Sequence, residues 1–186
     1  MTVAVPEIHE ILRARFGESG VLRLVAESPE PFVVIEPRAI AEVLAFCRDD
    51  PRLAFDFPSC LTGFDSGEGT LSVDYHLFSH RHRHDLSLRV IVTREDPRVP
   101  TAAFVYPAFN WHEREAYDLT GIVFDGHPDL RRLLLPEDWV GWPLRKDFQE
   151  QADYRGIATT RDTPLARGAG IPRYLEYSDP DWEPPA

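Results

Sequence analysis

Residues 71–93 read LSVDYHLFSHRHRHDLSLRVIVT, and the fold turns on how this stretch alternates. Leu71, Val73, Tyr75 and Leu77 alternate with Ser72, Asp74, His76 and Phe78. Leu86, Leu88, Val90 and Val92 then alternate with Ser87, Arg89, Ile91 and Thr93. A period of two puts one set of side chains on one face, so each half predicts a strand with one buried side. The link from Ser79 to Asp85 is short enough for an antiparallel hairpin.

Upstream, Ile8, Ile11, Leu12 and Phe16 recur at helical spacing between Glu7 and Phe16, with Pro6 suited to the first turn, where its missing N–H costs nothing. Val21–Ala26 and Phe32–Ile35 are short β-rich runs separated by the turn-forming Ser28-Pro29-Glu30-Pro31. Ile40, Val43, Leu44 and Cys47 define one apolar stripe of a second helix that ends near Asp49-Asp50-Pro51. A third helix is expected over about Pro107 to Thr120, with Gly121 as its left-handed cap. The order α, β-β, α, β-β predicts a two-layer α+β domain with a mixed β-sheet, since a doubly wound sheet needs strictly alternating units.

From Gly126 the character changes. Prolines at 128, 136, 143, 164, 172, 180, 184 and 185 break any long element, although Pro128 to Pro136 is expected to form a short helix with Leu130, Leu133 and Leu134 on its apolar face. Trp139, Trp142, Phe148, Tyr154, Ile157, Ile171, Tyr174, Leu175, Tyr177 and Trp182 are too many apolar groups for a solvated linker. The expectation is an α+β domain over 1–124 and an extended, proline-rich C-terminal segment over 125–186 that becomes ordered on a partner surface.

Thirty-one acidic against twenty basic side chains give a net charge of -11, which repels phosphate backbones and anionic headgroups and argues against nucleic-acid binding. The first residues carry no basic stretch followed by an apolar run, and no window approaches a membrane span. Membrane association is therefore expected only through other proteins. Cys47 and Cys60 are expected to be reduced core residues, and two thiols cannot hold an iron–sulfur cluster.

Candidate chemistry is sparse. His76, His80, His82 and His84 invite a metal-site reading, and with it a free-standing metal-dependent enzyme. They straddle a hairpin turn, however, with only Asp74 and Asp85 as carboxylate neighbours, so the Arg81-His82-Arg83-His84 run reads as a solvated tip. Glu113 and Glu115 project about 200° apart on a helix and cannot share a proton. Glu115 and Asp118 are expected to share a face with Trp111, and Arg114 stands one turn before Asp118. Gly63, Gly67 and Gly69 read as glycines scattered around a turn, without phosphate-loop spacing, and no G-x-S-x-G elbow occurs. No catalytic, cofactor-binding or metal-binding residue is assigned. Arg131 and Arg132 are open to pairing either within the chain or with a partner.

Glu113-Arg114-Glu115, Asp118-Leu119, His127, Arg131 and Leu133-Leu134 together resemble the signature of the thirty-kilodalton subunit family, the C subunits, of proton-translocating NADH:quinone oxidoreductase, respiratory complex I. The similarity continues through Pro143–Phe148 and, more weakly, back to Leu61–Asp65 and the hairpin. Thr120 and Trp142 depart from it. The resemblance implies a peripheral, cofactor-free chain on the cytoplasmic side of the inner membrane, with FMN and iron–sulfur clusters on partner subunits. It implies docking on the large quinone-site subunit, with Trp111, Glu113, Arg114, Glu115, Asp118, His127, Arg131, Arg132, Arg145 and Lys146 ordering the motif region and its contacts. An equivalent component of a membrane-bound hydrogenase-type complex is the alternative.

Overall fold

The computed structural model describes residues 4–159. The expectations placed on Ile171, Tyr174, Leu175, Tyr177, Trp182 and the prolines from 164 onward lie outside the described residues. The chain divides after Phe148 into two units.

The first unit runs α1 (Val5–Gly20), β1 (Val21–Val25), β2 (Phe32–Ile35), a 3-10 turn (Pro37–Ala39), α2 (Ile40–Asp49), β3 (Phe57–Gly67), β4 (Thr70–Ser79), β5 (His84–Thr93), β6 (Arg98–Pro100), α3 (Phe109–Thr120) and β7 (Val123–Asp125). Five strands form one sheet in the order β1-β2-β5-β4-β3, while β6 and β7 pair separately in parallel. All neighbours in the large sheet are antiparallel except β2 and β5, so the sheet is mixed and the domain α+β.

The alternation over 71–93 fixes the register. Leu71 faces Val92, Val73 faces Val90, Tyr75 faces Leu88 and Leu77 faces Leu86, so the two alternating sets meet on one face. Val33 and Ile35 on β2 extend that face beside Leu88 and Val90. It joins a single core with Ile8 and Leu12 of α1, Ile40, Val43, Leu44 and Cys47 of α2, and Phe109 and Ala116 of α3. The other face mixes polar and apolar groups: Asp74 and Arg89, opposite one another, form a two-pronged ion pair at 2.6 Å, and the guanidinium lies 3.9 Å from the Phe32 ring centre.

Two expectations are corrected. Gly63 lies not in a turn but inside β3, an edge strand that sequence alternation does not announce; Gly67 ends that strand, and only Gly69 sits in the turn to β4. The reason is contact with α3, where a side chain at Gly63 would bring its Cβ within 2.8 Å of Ala116 Cβ. The expected helix from Pro128 to Pro136 is absent, and turns and bends take its place. Leu133, Leu134 and Leu135 donate their N–H groups to the Asp118 carboxylate rather than to carbonyls of a preceding turn.

In the second unit the described residues form a small antiparallel ribbon, β8 (Asp153–Tyr154) with β9 (Ile157–Ala158), turning at Arg155 and Gly156.

Candidate functional site: the charged helix and its cover

α3 carries the charged motif. Its outer stripe is exposed, with Trp111 at 60% exposure and Glu115 also outward, while Glu113 and Asp118 are fully buried. The expectation that Asp118 shares the face of Trp111 and Glu115 is therefore corrected. A residue three places along a helix is offset by about 60° from its neighbour, enough to put Asp118 under the segment 131–135 that covers it.

Asp118 organises that segment. One carboxylate oxygen accepts the N–H groups of Leu133, Leu134 and Leu135 at 3.0, 2.7 and 2.8 Å, and the other accepts Arg132 Nη1 at 2.7 Å. Burial alone would raise its pKa, but these donors outweigh burial and hold it below the ordinary aspartate value. Arg132 continues the clamp, donating through Nη2 to the carbonyls of Trp139 and Gly141 at 3.0 and 3.2 Å. The cation paired with Asp118 is thus Arg132, rather than Arg114 one turn away.

Arg114 is buried and turned the other way. It lies 5.0 Å from the Trp111 ring centre, donates to the Arg131 and Arg132 carbonyls at 3.4 Å each, and stands 3.8 Å from Asp129. Arg131 pairs with Asp129 at 3.0 Å on the surface.

Glu113 faces the opposite wall. Its carboxyl accepts the Thr101 hydroxyl at 2.5 Å and the Ala102 N–H at 2.6 Å, fastening α3 to the residues after β6. Burial pushes its pKa up to about 7, with those two donors pulling the other way. His127 Nε2 is 3.9 Å from it. The imidazole accepts the Asp129 N–H at Nδ1 and donates from Nε2 to the Asn110 carbonyl, so it splints the turn after Gly126 rather than pairing with the acid.

The end of α3 is closed by the 142–146 segment. Gly121 has φ +75° and caps the helix in the left-handed region. A Cβ there would lie 2.5 Å from the Trp142 ring. Arg145 stacks 4.0 Å from the Trp142 ring centre and donates to the Thr120 carbonyl at 2.6 Å. Lys146 enters through its backbone N–H, which donates to Asp65 at 2.9 Å. Asp65 also takes both bonds from Arg94 and the Gly67 N–H. Burial would raise its pKa, but these donors prevail and hold it at about 2.

Thr101, Ala102 and Asp65 therefore complete the motif's bonding, although none of the three was among the expected site residues. Thr101 and Ala102 act through contacts distant in sequence that no local pattern marks. Among the described residues the hairpin histidines do not converge on a shared metal position. His80 contacts Asp56, His76 contacts Glu30 and Ser87, and His82 and His84 contact the Pro51 and Leu53 carbonyls. Cys47 is fully buried, but Cys60 is only half-buried, so the expectation of two core cysteines holds for one.

A family model described as respiratory-chain NADH dehydrogenase, 30 Kd subunit, matches residues 33–154. The chain is 44% identical over 158 residues to the C subunit of the NADH-quinone oxidoreductase of Chloroherpeton thalassium, the match covering 82% of this chain and 65% of that one. It is 39% identical over 151 residues to the protein of the same name from Chlorobium phaeobacteroides, covering 80% and 91%. The chain thus spans just under two thirds of the first relative and most of the second. A solved trypsin-resistant fragment of Nqo5 superposes with a TM-score of 0.56 at 30% identity, covering 67% of this chain and 98% of that one.

Proposed function

The chain belongs to the 30 Kd subunit family of the respiratory-chain NADH dehydrogenase, and on that premise we propose that it is a structural and assembly subunit of a proton-translocating NADH:quinone oxidoreductase. It docks in the hydrophilic arm on the large subunit that helps form the quinone site. The complex passes electrons from NADH to quinone, its FMN and iron–sulfur clusters are carried by partner chains, and this chain supplies no catalytic group. No helix among the described residues is long and apolar enough to cross a membrane. We place the chain on the cytoplasmic face, held there by its partners.

The observation that supports this reading best is how the motif's charged groups are used. Asp118 is bonded by three backbone N–H groups and a guanidinium, and Glu113 by a hydroxyl and an amide, all within the chain. Carboxylates bonded in this way within the chain tie the helix to its surroundings and so shape the surface around it. Trp111, Leu134, Val140 and Leu144 stay exposed around them, as large apolar groups do at protein–protein contacts.

The test is to tag the chain in its native host, extract membranes gently and identify what co-purifies. Recovery with flavin and iron–sulfur subunits and with NADH:quinone activity is expected. Recovery with nickel–iron hydrogenase subunits would move the chain to that related complex, and a solitary protein would contradict both.

A further inference from the structure

Glu113 is fully buried, and among the described residues no cation bonds to it; its two hydrogen bonds come from neutral groups, the Thr101 hydroxyl and the Ala102 N–H. Two further donors stand beside it. The Tyr75 hydroxyl, from β4, is fully buried and has no hydrogen-bond partner among the described residues. It lies near enough to the acid that burial and then the Glu113 charge push its pKa up. The His127 side chain, also buried, holds Nε2 3.1 Å from the Asn110 carbonyl and 3.9 Å from Glu113 Oε2. The groups that face the acid are thus Thr101 and Ala102 after β6, Tyr75 from β4 and His127 after β7. Arg114, next to it on α3, is turned toward Trp111 and Asp129 instead, and Asp129 meets Arg131 as well.

We propose that Glu113 and His127 form a proton-operated latch: with the acid protonated, the imidazole N–H stays on the Asn110 carbonyl and seats the turn that begins the covering segment; with the acid ionised, that N–H moves across to the carboxylate. The device belongs to the chain itself and holds whichever complex the chain enters. The protonated acid needs no new partner, since it keeps the Ala102 N–H on one oxygen and donates its own proton to Thr101 Oγ1 across 2.5 Å. Loss of that proton to solvent leaves a buried charge served by two neutral donors only. A hydrogen bond to an ionised acceptor is about twice as strong as one to a neutral carbonyl, so the His127 N–H gains by leaving Asn110 for Glu113. An approach of about 1 Å brings Nε2 within bonding distance. Tyr75 supplies a second donor at no cost in bonds among the described residues. The proton leaves near neutrality, because burial pushes the acid up to about 7 against the pull of its two donors. His127 Nδ1 accepts the Asp129 N–H, and Asp129 meets Arg114 and Arg131, so a tilt of the ring passes to the segment over Asp118.

An NMR pH titration of the full 186-residue chain tests this, following the Glu113 carboxyl carbon, the His127 Nε2 nitrogen and the Asn110 carbonyl carbon. The three signals are expected to share one step with a midpoint of about 7. In Glu113→Gln, which keeps a carbonyl for Ala102 but cannot ionise, that step should vanish from His127 and Asn110 and leave both at their low-pH positions. Tyr75→Phe carries the test if Glu113→Gln does not fold: it removes a hydroxyl that has no bond among the described residues, and should raise the midpoint of all three signals together by about 0.5. A Glu113 midpoint below about 5 overturns the latch. So does an Asn110 carbonyl that fails to follow the acid in the wild-type chain or in Tyr75→Phe, or the same step surviving in Glu113→Gln.

Discussion

Glu113 and Asp118 sit on one helix, both fully buried, yet their surroundings push their pKa values in opposite directions. Glu113 receives two donors and is raised to about 7 by burial, while Asp118 receives three amides and a guanidinium and is lowered. A carboxyl with a raised folded-state pKa stabilises the fold fully below its ordinary value of 4.5 and loses that contribution as pH rises through 7. Asp65, held at about 2, behaves oppositely: its contribution is present above its ordinary 3.8 and lost as pH falls through 2. Urea unfolding of the isolated chain should therefore show a midpoint that declines between pH 5 and 8, and Glu113→Gln should flatten that decline by about 2–3 kcal/mol. An unchanged slope in the variant would show that Glu113 titrates normally. Asp118→Asn leaves Arg132 without its charge partner and removes an acceptor from the 133–135 amides. It should destabilise by about 3 kcal/mol, read as a lower urea midpoint together with faster proteolysis within 126–148.

α3 is an element held from three sides: β3 beneath it, the residues after β6 beside it, and the 126–148 segment over it. Two glycines set how closely these parts approach. Gly63 admits Ala116 from the strand side, and Gly121 admits the Trp142 ring at a φ of +75°. Gly121→Ala should therefore cost about 2–4 kcal/mol, combining left-handed strain with displacement of Trp142 and Arg145. Differential scanning calorimetry reads this as a lower Tm, and the loss should persist when Trp142 is also trimmed to Ala if backbone strain dominates. The strands over 71–93 and the helix stripe Ile40–Cys47 were legible because their periodicity is set by one buried face each. β3 was not, because an edge strand exposes much of both faces and its glycine answers to a helix about fifty residues away. The missing helix at 128–136 has a similar cause: its apolar spacing was real, but the amides it needed were captured by Asp118, a competitor that local sequence does not reveal. Of the motif, the helix and its glycine cap were readable; which of its charges were buried, and which arginine paired with which acid, were not.

For the chain as a whole, the proposed subunit role makes assembly with partners the property that a change in the motif should alter. Arg114→Ala removes the tie from α3 to the Arg131 and Arg132 carbonyls, so the amount of assembled complex should fall several-fold, measured by quantitative blotting after native electrophoresis. If the C-terminal segment gains order only on its partner, trypsin should cut the isolated chain at Arg155, Arg161, Arg167 and Arg173 within the time that residues 4–148 survive. The same bonds should be protected in the purified complex, and equal cleavage in both would remove the partner from that account. A motif that builds a surface and carries out no step of electron transfer, as proposed, leaves the turnover of assembled complex intact, which is read as NADH:quinone turnover per FMN in membranes from the Arg114→Ala and Asp118→Asn strains. Turnover per flavin close to wild type with less assembled complex is the predicted result; full assembly with turnover abolished would contradict it.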